Sequence, residues 1–470
     1  MLTWNAAATW WIWNSTDAGS IAAIIANALL MCIPWWGYHV FKNKFGKKTG
    51  YISLVVFWMC FEYIHLNWQL SWPWLTMGNV FASHPSWVQW YDCTGVGGGT
   101  LWILLVNILV KRTIDIRRKE GWVADIANMK SWAAYTVLVI VPFFYSGVYG
   151  ALHSHETSSY KVLIVQPNID PYQKFESLSP SQQIQKLISL SEPAIDSTTQ
   201  LILWPETALD ANITQDQTQT NSVYEPVFSL MKRHPNATLL SGIETFKVYG
   251  TEKATATARK DANGFYYDAF NAAVVIKAGQ PLQFYHKSKL VPGVESLPTF
   301  LNFMAPVFEK FGGTAGGYGR DTGSVAFHVP GDTFITAPII CYESIYGEYV
   351  ASYVKKGANI LTIITNDGWW GNTPGHRQHL AYARLRAIET RRYVARSANT
   401  GISAVIDDHG NILETQPWDK AAVISYDIPA FSGETFYVRY GDYLYKIATL
   451  IACLFFAWNL ILWIRKKISR

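Results

Sequence analysis

The sequence predicts an α/β domain held between membrane-spanning helices at the two ends of the chain. The apolar residues gather into long runs almost free of charge, at residues 18–41, 51–66, 97–110, 131–149 and 443–464. Only 16% of the chain is charged and 15% is aromatic, against about 25% charged in soluble domains. Residues 155–440 have a mixed character instead, with period-two apolar stretches alternating with stretches at helical spacing, the pattern of a layered α/β domain. Boundaries follow at 1–154 for an N-terminal membrane domain, 155–440 for the globular domain and 441–470 for a last span with a basic tail.

Taken in order, the membrane domain holds four runs and, before residue 18, an aromatic stretch that reads as the tail of a further span. The shorter runs recruit aromatic flanks to reach the roughly 20 residues that a straight span needs. Lys42, Lys44, Lys47 and Lys48 follow the first run, Lys111, Arg112, Arg117, Arg118 and Lys119 the third, and Arg465, Lys466, Lys467 and Arg470 the last. Basic loops stay on the cytoplasmic side. Threading the runs between these clusters puts the 67–96 loop and all of 155–440 on the opposite face. The net charge of +5 is then mostly topological, and nucleic acid is not a partner.

Within the domain, strands are predicted at Lys161–Asn168, Leu201–Thr207, Ala237–Thr245, Phe270–Ile276, Phe334–Cys341, Asn359–Asn366 and Tyr393–Asp407. Helices are predicted at Ser181–Leu190, Val223–Lys232, Ser344–Lys355 and His376–Arg391. Cys341 therefore stands at a strand end, in Ile-Ile-Cys-Tyr-Glu. Glu206 ends another strand in Trp-Pro-Glu-Thr, and Lys287 lies in Tyr-His-Lys-Ser-Lys-Leu-Val-Pro. A neutral thiol is a poor nucleophile, so a carboxylate that takes its proton and a cation that favours the thiolate are both useful. The same cation, with the backbone N–H of Tyr342, can stabilise the oxyanion formed when a thiolate attacks a carbonyl. These three groups suffice for acyl transfer.

Trp-Pro-Glu-Thr, Tyr-x-Lys-x-x-Leu-Val-Pro and Ile-Cys-Tyr-Glu resemble the three motifs of the carbon–nitrogen hydrolase (nitrilase) superfamily, in the order it uses. The resemblance continues through Asn366–Gly371, Arg386–Glu389 and Arg396–Gly401. It implies an α-β-β-α sandwich, with Glu206 as general base, Lys287 as oxyanion-stabilising lysine and Cys341 as nucleophile. Lys289, two residues on, is the competing lysine if the strand continues. Glu295 and Glu343 match carboxylates the superfamily keeps around the nucleophile; the alternative for Glu343 is a helix N-terminal acid favoured by the dipole. Phe175 matches an aromatic at the mouth of the site. Trp369 and Trp370 are candidates for substrate contact or for packing.

With spans on both sides, the chain resembles the apolipoprotein N-acyltransferase family, the membrane-bound branch of that superfamily. Leu70–Asn79 and Gly95–Trp102 resemble that family's external loop and the start of its next span. The family carries further spans ahead of residue 18, and here Gly293-Val294-Glu295 stands for its Phe-Gly-Glu. The resemblance implies a multi-pass protein of the bacterial inner membrane with a periplasmic catalytic domain. It takes a phospholipid as acyl donor and diacylglyceryl lipoproteins as acceptors, works as a monomer and needs no cofactor or metal. His376 and His379 share a helix face without a third ligand. A tethered amidase, with water in place of the amine, and a non-catalytic sensor or scaffold are the other readings. Whether acyl chains reach amine or water separates the first, and the complete Glu206, Lys287 and Cys341 set argues against the second. Residues 297–318, with Phe300, Phe303 and Phe308 ahead of Gly312 and Gly313, are expected to form either a packed helix or a glycine-hinged apolar lid.

Overall fold

The computed structural model of the protein describes residues 1–126, 129–152, 158–172, 174, 178–298, 300–301 and 317–468. The fold divides into two units, one of Met1–Trp10, Ala22–His153 and Tyr440–Arg470, the other of Trp11–Ile21 and Ser154–Arg439.

The first unit is helical. It comprises α1 (Leu2–Thr9), α2 (Asp17–Leu30), α3 (Cys32–Leu66), α4 (Tyr91–Ile126), and α5 (Met129–Tyr135), which runs through a π turn at Thr136–Ile140 into α6 (Val141–Leu152). The C-terminal helix Tyr443–Ile468 completes it. Asp17–Leu66, Tyr91–Lys119 and Tyr443–Ile468 are long and apolar enough to cross a membrane, and Trp132–Val148 is a shorter apolar helix. α3 is not one straight rod. Gly46 sits at φ 83°, ψ 174°, a region open to glycine because it has no Cβ, and there the chain folds back on itself. Phe41 meets Phe57 at 5.1 Å between ring centroids, and Trp35 meets Trp58 at 6.3 Å. The runs predicted at 18–41 and 51–66 are thus the apolar parts of two antiparallel legs, and the run predicted at 97–110 begins earlier, at Tyr91.

One carboxylate ties these helices together. Glu62, 4% exposed, accepts hydrogen bonds from Trp58 Nε1 (3.0 Å), the Met77 N–H (2.9 Å), Thr100 Oγ1 (2.8 Å) and Tyr445 OH (2.8 Å). An acid among apolar helices is tolerated only when its oxygens are satisfied in this way. Its donors come from α3, the following loop, α4 and the C-terminal helix, so it fixes their register.

The second unit is a four-layered sandwich. Its first sheet contains β1 (Ser159–Gln166), β2 (Thr199–Leu203), β3 (Leu209–Thr214), β4 (Thr238–Gly250), β5 (Arg259–Lys260), β6 (Tyr266–Ile276) and β7 (Gln283–His286). The second sheet contains β8 (Phe327–His328), β9 (Ile335–Ile340), β10 (Ile360–Thr365), β11 (Val394–Ala398), β12 (Ala404–Ile406) and β13 (Ile412–Thr415). The last strand, β14 (Ala422–Pro429), returns to the first sheet and pairs antiparallel with β1. The strand orders are β14-β1-β2-β4-β6-β5, with β3 on β4 and β7 on β6, and β13-β12-β11-β10-β9-β8.

Helices α7 (Pro180–Ser191) and α8 (Glu225–Arg233) cover the first sheet, and α9 (Gly347–Lys355) and α10 (Pro374–Thr390) pack with the second. Alternation along β1 explains the layering: Val162 and Ile164 join the core between the sheets, whereas Leu163 and Val165 join the core under Ile184, Leu187 and Val227. A strand buried on both faces reads as a continuous apolar run.

Two predicted elements are corrected. The strand expected over Tyr393–Asp407 breaks into β11 and β12, because Asn399 turns away to bond the Thr365 carbonyl through its N–H (2.9 Å) and the Ile169 carbonyl through its side chain (2.8 Å). The helix expected from Ser344 begins at Gly347, after a tight turn over Cys341–Ile345.

Replacing Glu62 with Ala strands donors on three helices and the loop. We expect a loss of about 3 kcal/mol or more of stability in detergent, read as a fall in Tm. An unchanged Tm would remove Glu62 from this role.

Candidate active site

The ends of β2, β7, β9 and β10 carry one cluster of side chains. β1, β2 and β4 run parallel in one sheet and β9, β10 and β11 in the other. Sites in such sheets lie beyond the carboxyl ends of the strands, where side chains from separate loops can meet.

Glu206 follows β2 through Trp204 and Pro205 and is 6% exposed. Its Oε1 accepts from Lys287 Nζ at 3.1 Å and from Asn271 Nδ2 at 2.8 Å, and its Oε2 accepts from the Asn366 N–H at 3.0 Å. Lys287 follows β7, is 1% exposed, and also donates to Glu295 Oε1 at 2.8 Å. Glu295 is held by the Val291 N–H (2.8 Å) and shares the Asn271 amide (2.9 Å). One ammonium and two carboxylates thus sit together out of water. Burial works against the charge on Lys287, but Glu206 and Glu295 outweigh it and hold the amine well above its usual range.

β7 ends at His286, so Lys289 does not continue a strand beside Lys287. Its ammonium lies over the Tyr346 ring, 5.1 Å from the centroid. Lys287 is the lysine beside Glu206.

Cys341 directly follows β9 with φ at 49° and is 8% exposed. A left-handed non-glycine residue costs about 1–3 kcal/mol and persists only when its surroundings over-determine it. They do so here. Glu343 Oε2 accepts from the Ile340 N–H (2.9 Å), and the Cys341 carbonyl accepts from Ser344 Oγ (2.7 Å) and lies 3.1 Å from His379 Nε2. Burial pushes the Cys341 thiol up, the Glu206 carboxylate adds to this, and Lys287 opposes it. Burial thus favours the neutral thiol, with a carboxylate and an ammonium in its field.

Glu343 is 0% exposed, and its other oxygen accepts from Tyr285 OH (2.5 Å), the Ser288 N–H (2.7 Å) and the Lys289 N–H (3.2 Å). Burial pushes its carboxyl up to about 7. Besides its place in the first turn after Cys341, it ties the backbone after Lys287 to the backbone before Cys341. Tyr342 is 3% exposed, its ring edge-on to Tyr346 at 5.3 Å. Trp370 packs between Trp11 (4.9 Å) and His379 (5.6 Å), whereas Trp369, 36% exposed, meets Tyr172 edge-on at 5.3 Å. Phe300 is exposed. Phe175, Phe303, Phe308, Gly312 and Gly313 lie outside the described residues, as does most of 297–318.

Several supporting residues escaped sequence reasoning. Asn271, inside a predicted apolar strand, bridges both carboxylates; its only signal was a polar residue at a buried strand position. His379, considered above as part of a histidine pair, instead bonds Asp367 (2.9 Å), which also pairs with Arg396 (2.6 Å) beneath the Cys341 turn. Gly242 on β4 passes so close under Glu206 that an added Cβ would lie 2.4 Å from the Thr207 nitrogen and 2.6 Å from Glu206 Cα.

Residues 161–435 match the family Carbon-nitrogen hydrolase, and residues 1–109 match Apolipoprotein N-acyltransferase N-terminal domain. The chain is 32% identical to an apolipoprotein N-acyltransferase of Chlorobaculum tepidum, over 96% of this chain and 85% of that protein. It is 26% identical to one of Thermotoga maritima, over 92% of this chain and 76% of that protein. Among solved structures, a Nesterenkonia amidase of the nitrilase superfamily is similar over 62% of this chain and 95% of that one, at 16% identity and TM-score 0.40.

Gly242→Ala forces the turn carrying Glu206 to move. An ångström of displacement of a reacting group costs about 100-fold, and we expect a loss of that order in the rate at which a small activated ester acylates Cys341, with the circular dichroism unchanged. An unaltered rate would make Gly242 an ordinary strand glycine.

Proposed function

The chain belongs to the apolipoprotein N-acyltransferase family, within the carbon–nitrogen hydrolases, and from that premise we propose that it moves an acyl chain from a phospholipid, through a thioester on Cys341, to the α-amine of the N-terminal S-diacylglyceryl cysteine of a lipoprotein. The observation that carries this reading is the buried group of Glu206, Lys287 and Glu295 in the field of the Cys341 thiol.

The steps follow from that geometry. Lys287 and the two carboxylates sum to one negative charge. Moving the thiol proton to Glu206 leaves the sum unchanged and shifts the negative charge to sulfur, so no new charge is created in a dry site. The sulfur attacks the ester carbonyl of the donor, and Lys287 with the Tyr342 N–H stabilises the oxyanion. The ester C–O bond breaks, Glu206 returns its proton to the leaving alkoxide, and a lysophospholipid departs. The lipoprotein amine then attacks the thioester carbonyl. The C–S bond breaks, Glu206 takes the amine proton and passes it to sulfur, and the amide product leaves.

The proposal includes an orientation. The basic clusters 42–48, 111–119 and 465–467 share the cytoplasmic face of the inner membrane, and the domain that carries Cys341 faces the periplasm. There it meets lipoproteins after export.

Mass spectrometry of the protein incubated with phospholipid vesicles is expected to find an acyl adduct on Cys341, absent in Cys341→Ala and in Glu206→Gln and present in Cys93→Ala. A diacylglyceryl peptide should discharge the adduct as amide; discharge as free fatty acid would favour the amidase. A normal adduct in Glu206→Gln would remove it from the base role. For the orientation, an impermeant thiol reagent in cells with a permeabilised outer membrane should reach cysteines introduced at 215–220 and not at 44–48. The reverse pattern overturns it.

A further inference from the structure

The helical unit contains a groove lined by none of the candidate active-site residues. It lies between the second leg of α3 and α4, with a volume of about 770 Å³, within the range of ligand-binding clefts. Its two halves differ in chemistry. Ile52, Val55 and Val56 of α3 and Leu105 and Ile108 of α4 line one half. Lys47, Lys48, Arg112 and Lys119 line the other, with Tyr51 and Ile116 among them, and Asp115 also sits there but is ion-paired with Lys111.

The periodicity produces this division. On α4 the lining residues 105, 108, 112, 115, 116 and 119 recur every three to four positions and so share one helical face. That face changes from aliphatic to basic within about 10 Å of helix between residues 105 and 112. On α3 the same change runs the other way along the chain, from Lys47 and Lys48 to Val55 and Val56, because the two segments bring their basic ends together. A soluble anion would use the cations and leave the aliphatic walls bare. A zwitterionic lipid would fill the walls and meet the cations with its phosphate partly offset by its own amine.

We propose that this groove is a binding site for an anionic phospholipid, its phosphate among Lys47, Lys48, Arg112 and Lys119 and its acyl chains along Ile52, Val55 and Leu105. Charge complementarity selects the headgroup, and the aliphatic half of the groove selects a lipid over a free anion. The bound lipid stabilises the hairpin turn at Gly46 against α4, and it is a resident molecule, not an acyl donor. The site depends on the helical unit alone and not on the acyltransfer reading.

The test uses the full chain in nanodiscs of phosphatidylcholine doped with a photoactivatable phosphatidylglycerol, or with the matching photoactivatable phosphatidylcholine, and maps the labelled peptides by mass spectrometry. Phosphatidylglycerol is expected to label residues 51–56 and 105–108 several-fold more than phosphatidylcholine does. Lys48→Gln and Arg112→Gln should each cut that labelling about fivefold, the contribution of one cation near an anionic lipid surface, while Arg112→Lys keeps it. Acylation of Cys341 should be unchanged in these variants, which separates failure of this site from failure of the enzyme. Equal labelling by both lipids in the unaltered protein overturns the proposal, as does displacement of phosphatidylglycerol by excess inorganic phosphate.

Discussion

A lysine held between two carboxylates out of water is the constraint from which the active domain is built. Removing ions from water costs several kcal/mol each, repaid only when geometry and further hydrogen bonds satisfy every remaining oxygen and proton. Lys287 meets that condition because Glu206 and Glu295 share the Asn271 amide, Glu206 takes the Asn366 N–H and Glu295 takes the Val291 N–H. Those groups come from the ends of β2, β7 and β10, from β6 and from the turn at 291–296. Both sheets are therefore held at the edge where Cys341 emerges, and the cost of the buried charges makes any loosening there expensive.

The Cys341 turn depends on the same logic. Cys341 in its left-handed conformation is held by Glu343 at the N–H of the preceding Ile340 and by Ser344 at its own carbonyl, with His379 Nε2 beside that carbonyl. Glu343 extends this hold to the backbone at Ser288 and Lys289, next to Lys287. Asp367, which Arg396 keeps well below the ordinary carboxylate range despite its burial, anchors His379. The cation and the sulfur are thus positioned by one connected set of bonds. Burial favours the neutral form of this thiol, and the thiolate is the reactive form.

The helical unit follows the same rule in an apolar setting. Glu62 is tolerated because Trp58, Met77, Thr100 and Tyr445 satisfy its two oxygens. The bonds that satisfy it also link α3, α4 and the C-terminal helix, which are far apart in the chain. In both units, then, a buried acid acts as a junction, and its position is set by donors that only the folded chain can supply.

Composition and periodicity alone determined the division into apolar helices and an α/β domain, because burial on one or both faces leaves a period of 3.6 or 2 or a continuous run in the sequence. They also determined that Glu206 and Cys341 stand at strand ends, since the apolar runs stop at those residues; the short strand before Lys287, Gln283–His286, was not among those predicted. What periodicity could not decide was any feature made by contact between distant segments. Asn271 read as one polar residue in an apolar strand until the fold set it between two carboxylates. Nothing in the sequence marked Gly242, which β4 carries close under the Glu206 turn. Glu343 had a helix N-terminal acid as its alternative reading, and only the family register favoured Lys287 over Lys289 until β7 ended at His286 and turned one to Glu206 and the other to Tyr346. The sequence carries local burial; which buried groups face each other depends on strand order and on loops crossing between sheets, and only the tertiary structure settles that.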